Sequence, residues 1–301
     1  MMGLAVAGLL GFAGCKKATP EHDATPAASA SEPAARLPPN ELRLVVLPPR
    51  VGDRIHVSRK SRVDLAIEFW QDGKKIGTSE SKRSEEYAQT VEVLGLIGAA
   101  SAKIRVRYDQ YHLMETHPDK PPRDESHLAG HTYVLDAAEG PLRILGDNGK
   151  AVTPLEDETL QKLHGDLGRE DPVVAALGDR PIAVGRTAPM HDALFRALVS
   201  AGTGEFKGGT FVLSRLAGEA GRDAAIFDWS AEMRTQEDSG LEITWHLKGQ
   251  AIVGVSPAET LRTTVDGALD ASGQTTEGGA RVDIAGDGSF KDELAISPIS
   301  H

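Results

Sequence analysis

Residues of the kinds that bind metal ions are concentrated in one short part of the chain. The group comprises His112, Glu115, His117, His127 and His131, with Asp119, Asp124 and Glu125 between them. Imidazole and carboxylate groups are the nitrogen and oxygen ligands that zinc accepts. On a strand that ends near Glu115, however, side chains alternate between two faces, so His112 and Glu115 do not converge. Zinc binding by His112, His117, His127 and His131 is therefore the weaker interpretation of this segment.

The spacing of these residues favours a solvated loop instead. The stretch HPDKPPRDESHLAGH, residues 117–131, is rich in charge and proline and contains no HExxH motif. Its HLAGH part would bring two imidazoles together only in a helix, which Gly130 disfavours. A second oxygen-rich stretch, DIAGDGSFKDE at 283–293, lacks the EF-hand spacing, and its glycines predict a β-turn. We predict no resident metal or cofactor.

Motifs for covalent catalysis are equally weak. No GxSxG sequence is present, and Cys15 is the only cysteine, outside the body of the chain. SESK, residues 79–82, has the SxxK spacing, but it lies in a charged stretch after a predicted hairpin, without SDN or KTG elsewhere. GTGEFKGG, residues 202–209, has the wrong glycine spacing for a phosphate-binding loop and is predicted to be a flexible connector. We predict that the protein is not an enzyme.

The composition is that of a globular protein with an acidic balance. Hydrophobic residues make up 40% of the 301 residues, which is enough for a sizeable core. A formal net charge of −11 offers no electrostatic footprint for nucleic acid. A single cysteine cannot form an internal disulfide, so stability must come from packing.

The N-terminus has the features of a targeting segment. Residues 1–14 are uncharged and apolar, and they are too few to cross a bilayer, so they are predicted to be a signal peptide. The sequence FAGC at 12–15 resembles the lipobox of bacterial lipoproteins. This resemblance implies that Cys15 is lipidated and becomes the mature N-terminus, which anchors the protein to a membrane.

Residues 15–40 are predicted to be the lipid anchor followed by a disordered tether. The segment after Cys15 is rich in Ala, Pro and Ser and has few bulky apolar side chains, so it cannot bury enough surface to fold. Its prolines favour extended conformations that hold a domain away from its anchor. Lys16 and Lys17 do not resemble the aspartate that retains some lipoproteins in the inner membrane, which favours the outer membrane of the cell envelope.

The body, residues 41–301, is predicted to consist mainly of strands. Val63, Leu65, Ile67 and Phe69 alternate with more polar residues and lead to Asp72-Gly73, a two-residue hairpin signal. Asn148-Gly149 predicts another hairpin. Trp70, Trp229 and Trp245 fall on predicted strands as core residues. The predicted strands cover 41–47, 63–70, 87–94, 103–115, 131–136, 141–145, 150–152, 209–217, 224–234, 241–255, 260–266 and 280–285.

Helices are predicted only in the middle of the chain. A capping box of Thr153 and Glu156, with Pro154 at the first helical position, begins a helix whose leucines share one face. Asp171 and Gly178 delimit a second short helix, and residues 190–202 form a third.

The sequence thus predicts an α+β fold that is mainly antiparallel β. Two β-rich halves, about 41–150 and 203–301, flank a short helical segment at 153–200, an order that suits a strongly curved sheet forming an open half-barrel. In element order and lipid anchoring this resembles periplasmic lipoprotein carriers and other lipid-binding lipoproteins, as well as large families of bacterial lipoproteins without assigned activity. The resemblance implies a non-enzymatic protein that binds an apolar or amphipathic ligand, or a protein partner. The alternatives are an assembly role without a small ligand, a metal-binding protein and a hydrolase.

Overall fold

The computed structural model describes residues 41–98, 100–118, 120–178, 180–199, 204–219, 222–237, 240–277 and 280–299. The predicted signal peptide, Cys15 and the predicted tether lie outside the described residues. The strands are β1 (Glu41–Leu42), β2 (Arg54–Gln71), β3 (Lys74–Ile97), β4 (Ala100–His117), β5 (Lys120–Glu125), β6 (Thr132–Asp136), β7 (Arg143–Gly146), β8 (Ile182–Ala183), β9 (Thr187–Pro189), β10 (Glu205–Glu219), β11 (Arg222–Gln236), β12 (Leu241–Gly254), β13 (Thr260–Glu277) and β14 (Ala280–Pro298). The helices are α1 (Pro154–His164), α2 (Pro172–Leu177) and α3 (Asp192–Leu198).

One large antiparallel sheet contains most of the strands. Its order is β7-β6-β4-β3-β2-β14-β13-β12-β11-β10-β9, and β5 pairs with β4 beside this path. The sheet is not closed, because β7 and β9 lie at its two ends. The predicted α+β fold, mainly antiparallel and open, is confirmed. The two β-rich halves meet where β2 pairs with β14, from Trp70 opposite Asp283 to Ile55 opposite Pro298.

The turn between β2 and β3 has the backbone that its sequence predicts. Asp72 and Gly73 both have positive φ angles, 51° and 70°. A two-residue hairpin loop needs this conformation at both positions to match the twist of its strands, and Asp-Gly adopts it readily. The two strands that this turn joins are longer than predicted, since β2 begins at Arg54 and β3 runs to Ile97.

Alternate side chains of the long strands point to an inner face that the helices cover. The larger apolar cluster contains the inner residues of β2 from Val63 to Phe69 and extends across β14, β13, β12 and β11 to α2 and α3. A second cluster contains Val106 and Tyr108 of β4, Leu135 of β6 and Leu160 of α1. The Val63–Phe69 face and Leu160 therefore belong to separate parts of the core.

Two of the three helices begin where capping residues predict them. Thr153 accepts a hydrogen bond from the Glu156 amide, and the Glu156 side chain accepts one from the Thr153 amide, which completes the predicted capping box. Asp171 caps α2, and Gly178 follows its end with a φ of 73°. The third helix starts later than predicted because the side chain of His191 caps it. Within the described part of the chain, no helix combines the length and the apolarity that crossing a membrane requires.

Several local predictions are wrong. The strand predicted at 41–47 is limited to β1, and its continuation runs as an extended segment bonded through Val45 to Val255 and Ala258. The segment 117–131 is not simply a loop, since it contains β5. The connector predicted at 202–209 contributes its residues from Glu205 onward to β10.

The glycines of DIAGDGSFKDE do not form the predicted turn, because this stretch lies inside β14. A Cβ on Gly286 would collide with the carbonyl oxygen of Ala66, and one on Gly288 with that of Asp64. The two glycines therefore allow β14 to approach β2 closely, which is another common reason for glycine within a strand.

Candidate functional site

Charged side chains interrupt the inner face of the sheet between the two apolar clusters. They are Arg59 of β2, Arg83 and Glu85 of β3, Glu115 and His117 of β4, and Asp292 of β14, and we call them the inner-face charge cluster. The strand register brings them together: Arg83 is opposite Glu115, and Ser61 is opposite both Glu85 and Asp292. Charged groups of both signs therefore share one patch of four adjacent strands.

One contact of this cluster is a two-point ion pair. Arg59 Nε lies 2.8 Å and its Nη2 lies 3.0 Å from the two carboxylate oxygens of Asp292. The two side chains are 20% and 3% exposed. Burial opposes the charge of Arg59, but the neighbouring Asp292 carboxylate outweighs it and raises the pKa of the guanidinium. The Arg59 guanidinium therefore stays charged in the folded protein.

A second part of the cluster lies beneath α1. Arg83 Nη2 is 3.4 Å from Glu85 Oε2, with side-chain exposures of 9% and 16%. Lys162 belongs to the last turn of α1, and burial together with the nearby Arg83 lowers its pKa, while Glu85 acts in the opposite direction. The helix thus carries a further cation to the edge of the inner-face charge cluster.

Three residues of β3 and β4 have the connectivity of a serine–histidine–acid triad. Ser81 Oγ lies 3.2 Å from His117 Nδ1, and His117 Nε2 lies 2.8 Å from Glu115 Oε1. Ser81 is only 4% exposed, and its strand is paired with β2 and β4. The backbone amides around Ser81 therefore form hydrogen bonds to the neighbouring strands. In a nucleophile elbow, by contrast, the amide after the serine is free to bind an oxyanion. The three groups are hydrogen-bonded to one another in a place that solvent reaches little.

Tyrosines and histidines link α1 to the sheet next to the cluster. Tyr108 Oη lies 2.8 Å from His164 Nε2, and Tyr133 Oη donates to Glu156 Oε1 at 2.6 Å. Burial lowers the pKa of His164 to about 4. Burial also opposes the charge of Glu156, but hydrogen bonds from Tyr133 and Thr153 lower the pKa of this carboxyl to about 2. The helix is thereby fixed over the inner face.

The histidines of the possible zinc site do not converge. His112 is on the exposed face of β4 and pairs with Asp124 at 2.9 Å, whereas His117 is on the inner face. His127 contacts Thr159 Oγ1 at 3.1 Å, and the more exposed His131 lies 3.4 Å from Glu156. Asp119 lies outside the described residues. Among the residues that are described, no three His, Cys, Asp or Glu side chains are grouped to hold a metal ion.

An apolar pocket lies where α2 and α3 cover the far part of the sheet. Val173, Leu177, Leu194, Leu198, Phe211, Phe227, Trp229 and Ala251 line it, and its empty volume, including the mouth, is about 210 Å³. Even with the open solvent at its mouth counted, this space is smaller than the roughly 300–1,000 Å³ of pockets for drug-sized ligands. It is therefore too small for a whole lipid in the arrangement seen here. Trp229 and Trp245 are core residues, as predicted, with exposures of 4% and 7%, whereas Trp70, also predicted as a core residue, is only partly buried.

The sequence prediction did not identify Arg59, Arg83, Glu85 and Asp292. A signal was present in β14, where Val282, Ile284 and Phe290 occupy inner positions and Asp292 follows at the same period of two. A charge at a position that alternation assigns to the core indicates either a buried pair or a site. The partner of Asp292, however, comes from a strand at the other end of the chain.

Comparison with known proteins gives no family for this chain. No protein-family model matches it, and no curated protein matches it. Solved structures that are similar over much of the length include the toluene transporter TodX of P. putida, with 8% identity, 85% of this chain and 94% of that chain covered and a TM-score of 0.15. They also include MucB in complex with MucA(peri), with 10% identity, coverage of 81% and 94% and a TM-score of 0.09. Scores this low show no common fold, and we base no argument on them.

Proposed function

We propose that this protein is a non-enzymatic, lipid-anchored protein of the cell envelope that binds the charged end of an amphipathic ligand at the inner-face charge cluster. The observation that carries the proposal is the position of this cluster. Its charged side chains, 3% to 20% exposed, interrupt an inner face whose apolar residues on both sides are almost fully buried. Buried charges are costly, and titratable groups in such surroundings are concentrated at functional sites.

The chemistry of the cluster suits a ligand that carries both signs of charge. Arg59, Arg83 and the nearby Lys162 supply cations, while Glu85, Glu115 and Asp292 supply carboxylates. Guanidinium groups bind phosphate or carboxylate oxygens with two hydrogen bonds, and carboxylates accept from an ammonium group. A zwitterionic head group therefore matches the cluster better than a singly charged one.

The packing of the core limits the apolar part of the ligand. The inner residues from Val63 to Phe69 are between 2% and 8% exposed, so they already pack against other side chains. A long acyl chain would have to displace these contacts or those of α2 and α3. We therefore propose a ligand with a short apolar part, or one whose chain stays outside the sheet.

The binding test uses neutral substitutions at a matched pair of sites. Protein extracted from membranes in mild detergent is examined by native mass spectrometry for a bound amphiphile. We expect the wild-type protein to carry one and the variant R83Q/E85Q to lose it. The control K60Q/E86Q removes the ion pair between Lys60 and Glu86, whose Nζ and Oε1 lie 2.8 Å apart, with exposed fractions of 68% and 38%. This control should keep the ligand. Wild-type protein without a ligand, or equal retention by both variants, contradicts the proposal.

The acyl anchor at Cys15 and the location of the protein in the envelope are tested separately from ligand binding. Cells grown with a clickable fatty acid should yield labelled protein whose mature N-terminus is Cys15, and C15S should abolish the label. Fractionation of the envelope should then place the wild-type protein with the outer membrane. An unlabelled protein, or a mature product that begins at another residue, overturns the proposed anchor and leaves the binding test unaffected.

A further inference from the structure

One end of the sheet carries exposed apolar side chains beside the point where the described chain begins. Val45, Val46, Leu47, Val51, Leu96 and Ile97 are between 37% and 64% exposed, and we call them the apolar end. At the opposite end, the β2–β3 hairpin has the exposed Ile76. Exposed apolar residues that are grouped in this way often mark an interaction surface, whereas single ones are normal.

Backbone hydrogen bonds hold the apolar end across the edge of the sheet. Val45 donates to the carbonyl of Val255 at 2.9 Å and accepts from the amide of Ala258 at 2.7 Å, beside the turn between β12 and β13. Gly52 donates to the carbonyl of Val93 at 2.8 Å, near the β3–β4 hairpin that carries Leu96 and Ile97. The segment 43–53 therefore spans this end of the sheet, with Leu44 packed into the core and Val45, Val46, Leu47 and Val51 exposed.

The segment 43–54 carries an excess of positive charge, in contrast to the whole protein. Residues 43–54 contain three arginines, Arg43, Arg50 and Arg54, and a single acid, Asp53, in a chain with a formal net charge of −11. All three arginines are exposed. Exposed apolar side chains flanked by arginines are the composition with which proteins bind the surface of an anionic bilayer.

We propose that the apolar end docks on the surface of the membrane to which the protein is anchored, with its arginines against anionic lipid head groups. This inference rests on the proposed anchor at Cys15. The described chain starts at Glu41, four residues before Val45, so a tether from Cys15 would join the domain within a few residues of the apolar end. Docking would turn the opposite hairpins away from the bilayer and fix the orientation of the inner face.

The test uses the acylated protein in vesicles with one fluorophore at either end. V46C and I76C each introduce a thiol that is labelled with the fluorophore NBD, since acylation occupies the sulfur of Cys15. The two positions are matched, because Val46 is 52% and Ile76 is 50% exposed. The vesicles contain phosphatidylcholine and phosphatidylglycerol, with a spin label on a lipid head group as the quencher. Interfacial protein surfaces sit about 5–10 Å into the boundary between head groups and chains, within reach of this quencher.

We expect lipid quenching at position 46 and none at position 76. If the protein stays with the vesicles but lipid quenching is equal at the two positions, the docking is overturned and the anchor is not. If NBD at position 46 is shielded from water before vesicles are added, and the lipid label then does not quench it, a second copy of the protein covers this end. That result also overturns the inference. Protein that does not associate with vesicles overturns both the docking and the anchor.

The role of the arginines is tested by R43Q/R50Q in the V46C protein. Each arginine near an anionic surface should favour docking about fivefold. The double variant should therefore lower the quenching in vesicles with phosphatidylglycerol and leave it unchanged in vesicles of phosphatidylcholine alone. Unchanged quenching in both kinds of vesicle contradicts the proposed recognition of anionic lipid.

Discussion

Arg59 and Asp292 form a two-point ion pair between the first long strand of the sheet and its last strand. Their side chains are separated by 233 positions in the sequence, and they meet where β2 pairs with β14. This strand pair joins the two β-rich halves in the sheet order. The ion pair thus contributes to the junction of the halves as well as to the inner-face charge cluster.

Removal of one partner of this pair should be strongly destabilising. The variant D292N leaves the buried guanidinium of Arg59 without its counter-charge, and breaking a buried pair in this way costs about 3–5 kcal/mol. The double variant R59M/D292L should recover much of this loss, because neither charge then remains buried. Urea unfolding measures the free energies. A D292N variant as stable as E86Q, which changes an exposed pair on the other face, would show that Asp292 does not compensate Arg59.

The stability of the protein should fall on mild acidification because of His164. Burial lowers the pKa of His164 from 6.5 to about 4, so the unfolded chain binds a proton at a pH where the folded chain does not. The free energy of unfolding is therefore not reduced by His164 above pH 6.5, and it decreases as the pH falls toward 4. Over this range, the protonation of His164 in the unfolded chain should lower the free energy of unfolding by about 3 kcal/mol.

The comparison that isolates this effect is the pH dependence of unfolding in wild type and H164Q. Carboxyl groups such as Glu156, whose pKa is lowered from 4.5 to about 2, affect stability at lower pH. Burial also lowers the pKa of His127, although Glu125 opposes this, so the variant retains a smaller slope. Parallel curves for the two proteins between pH 6.5 and 4.5 would mean that folding does not lower the pKa of His164.

Local sequence signals predicted the strands, the turn at Asp72-Gly73 and the caps of the helices, because each of these depends on neighbouring residues. The inner-face charge cluster could not be predicted in this way. Its members lie on strands that are far apart in the sequence, and only the pairing of β2 with β14 brings Arg59 to Asp292. The glycines of β14 were misinterpreted for the same reason, since the close approach they allow involves a distant strand.

Gly286 should not tolerate even a methyl group. In G286A the new Cβ would collide with the carbonyl oxygen of Ala66 and approach the Cα of Ile67 at 3.1 Å, so β14 and β2 would have to separate. Overpacking of this kind costs about 1–3 kcal/mol. The control is G218A in β10, where the nearest atom to a new Cβ is 4.0 Å away. Thermal unfolding should show a lower midpoint for G286A only, and equal midpoints for both variants would contradict the proposed close approach.

Ser81 should not react as a nucleophile, in spite of its contact with His117. A fluorophosphonate probe must reach the hydroxyl and place its phosphoryl oxygen against free donors, but Ser81 is 4% exposed on a strand paired on both sides. We therefore expect no adduct on Ser81 by peptide mass spectrometry, with a serine hydrolase as the positive control. The variant S81A should instead lower stability by about 1 kcal/mol, through loss of the hydrogen bond to His117. An adduct on Ser81 that disappears in H117A would show that the three residues act as a catalytic triad, and the proposal of a non-enzymatic protein would then be wrong.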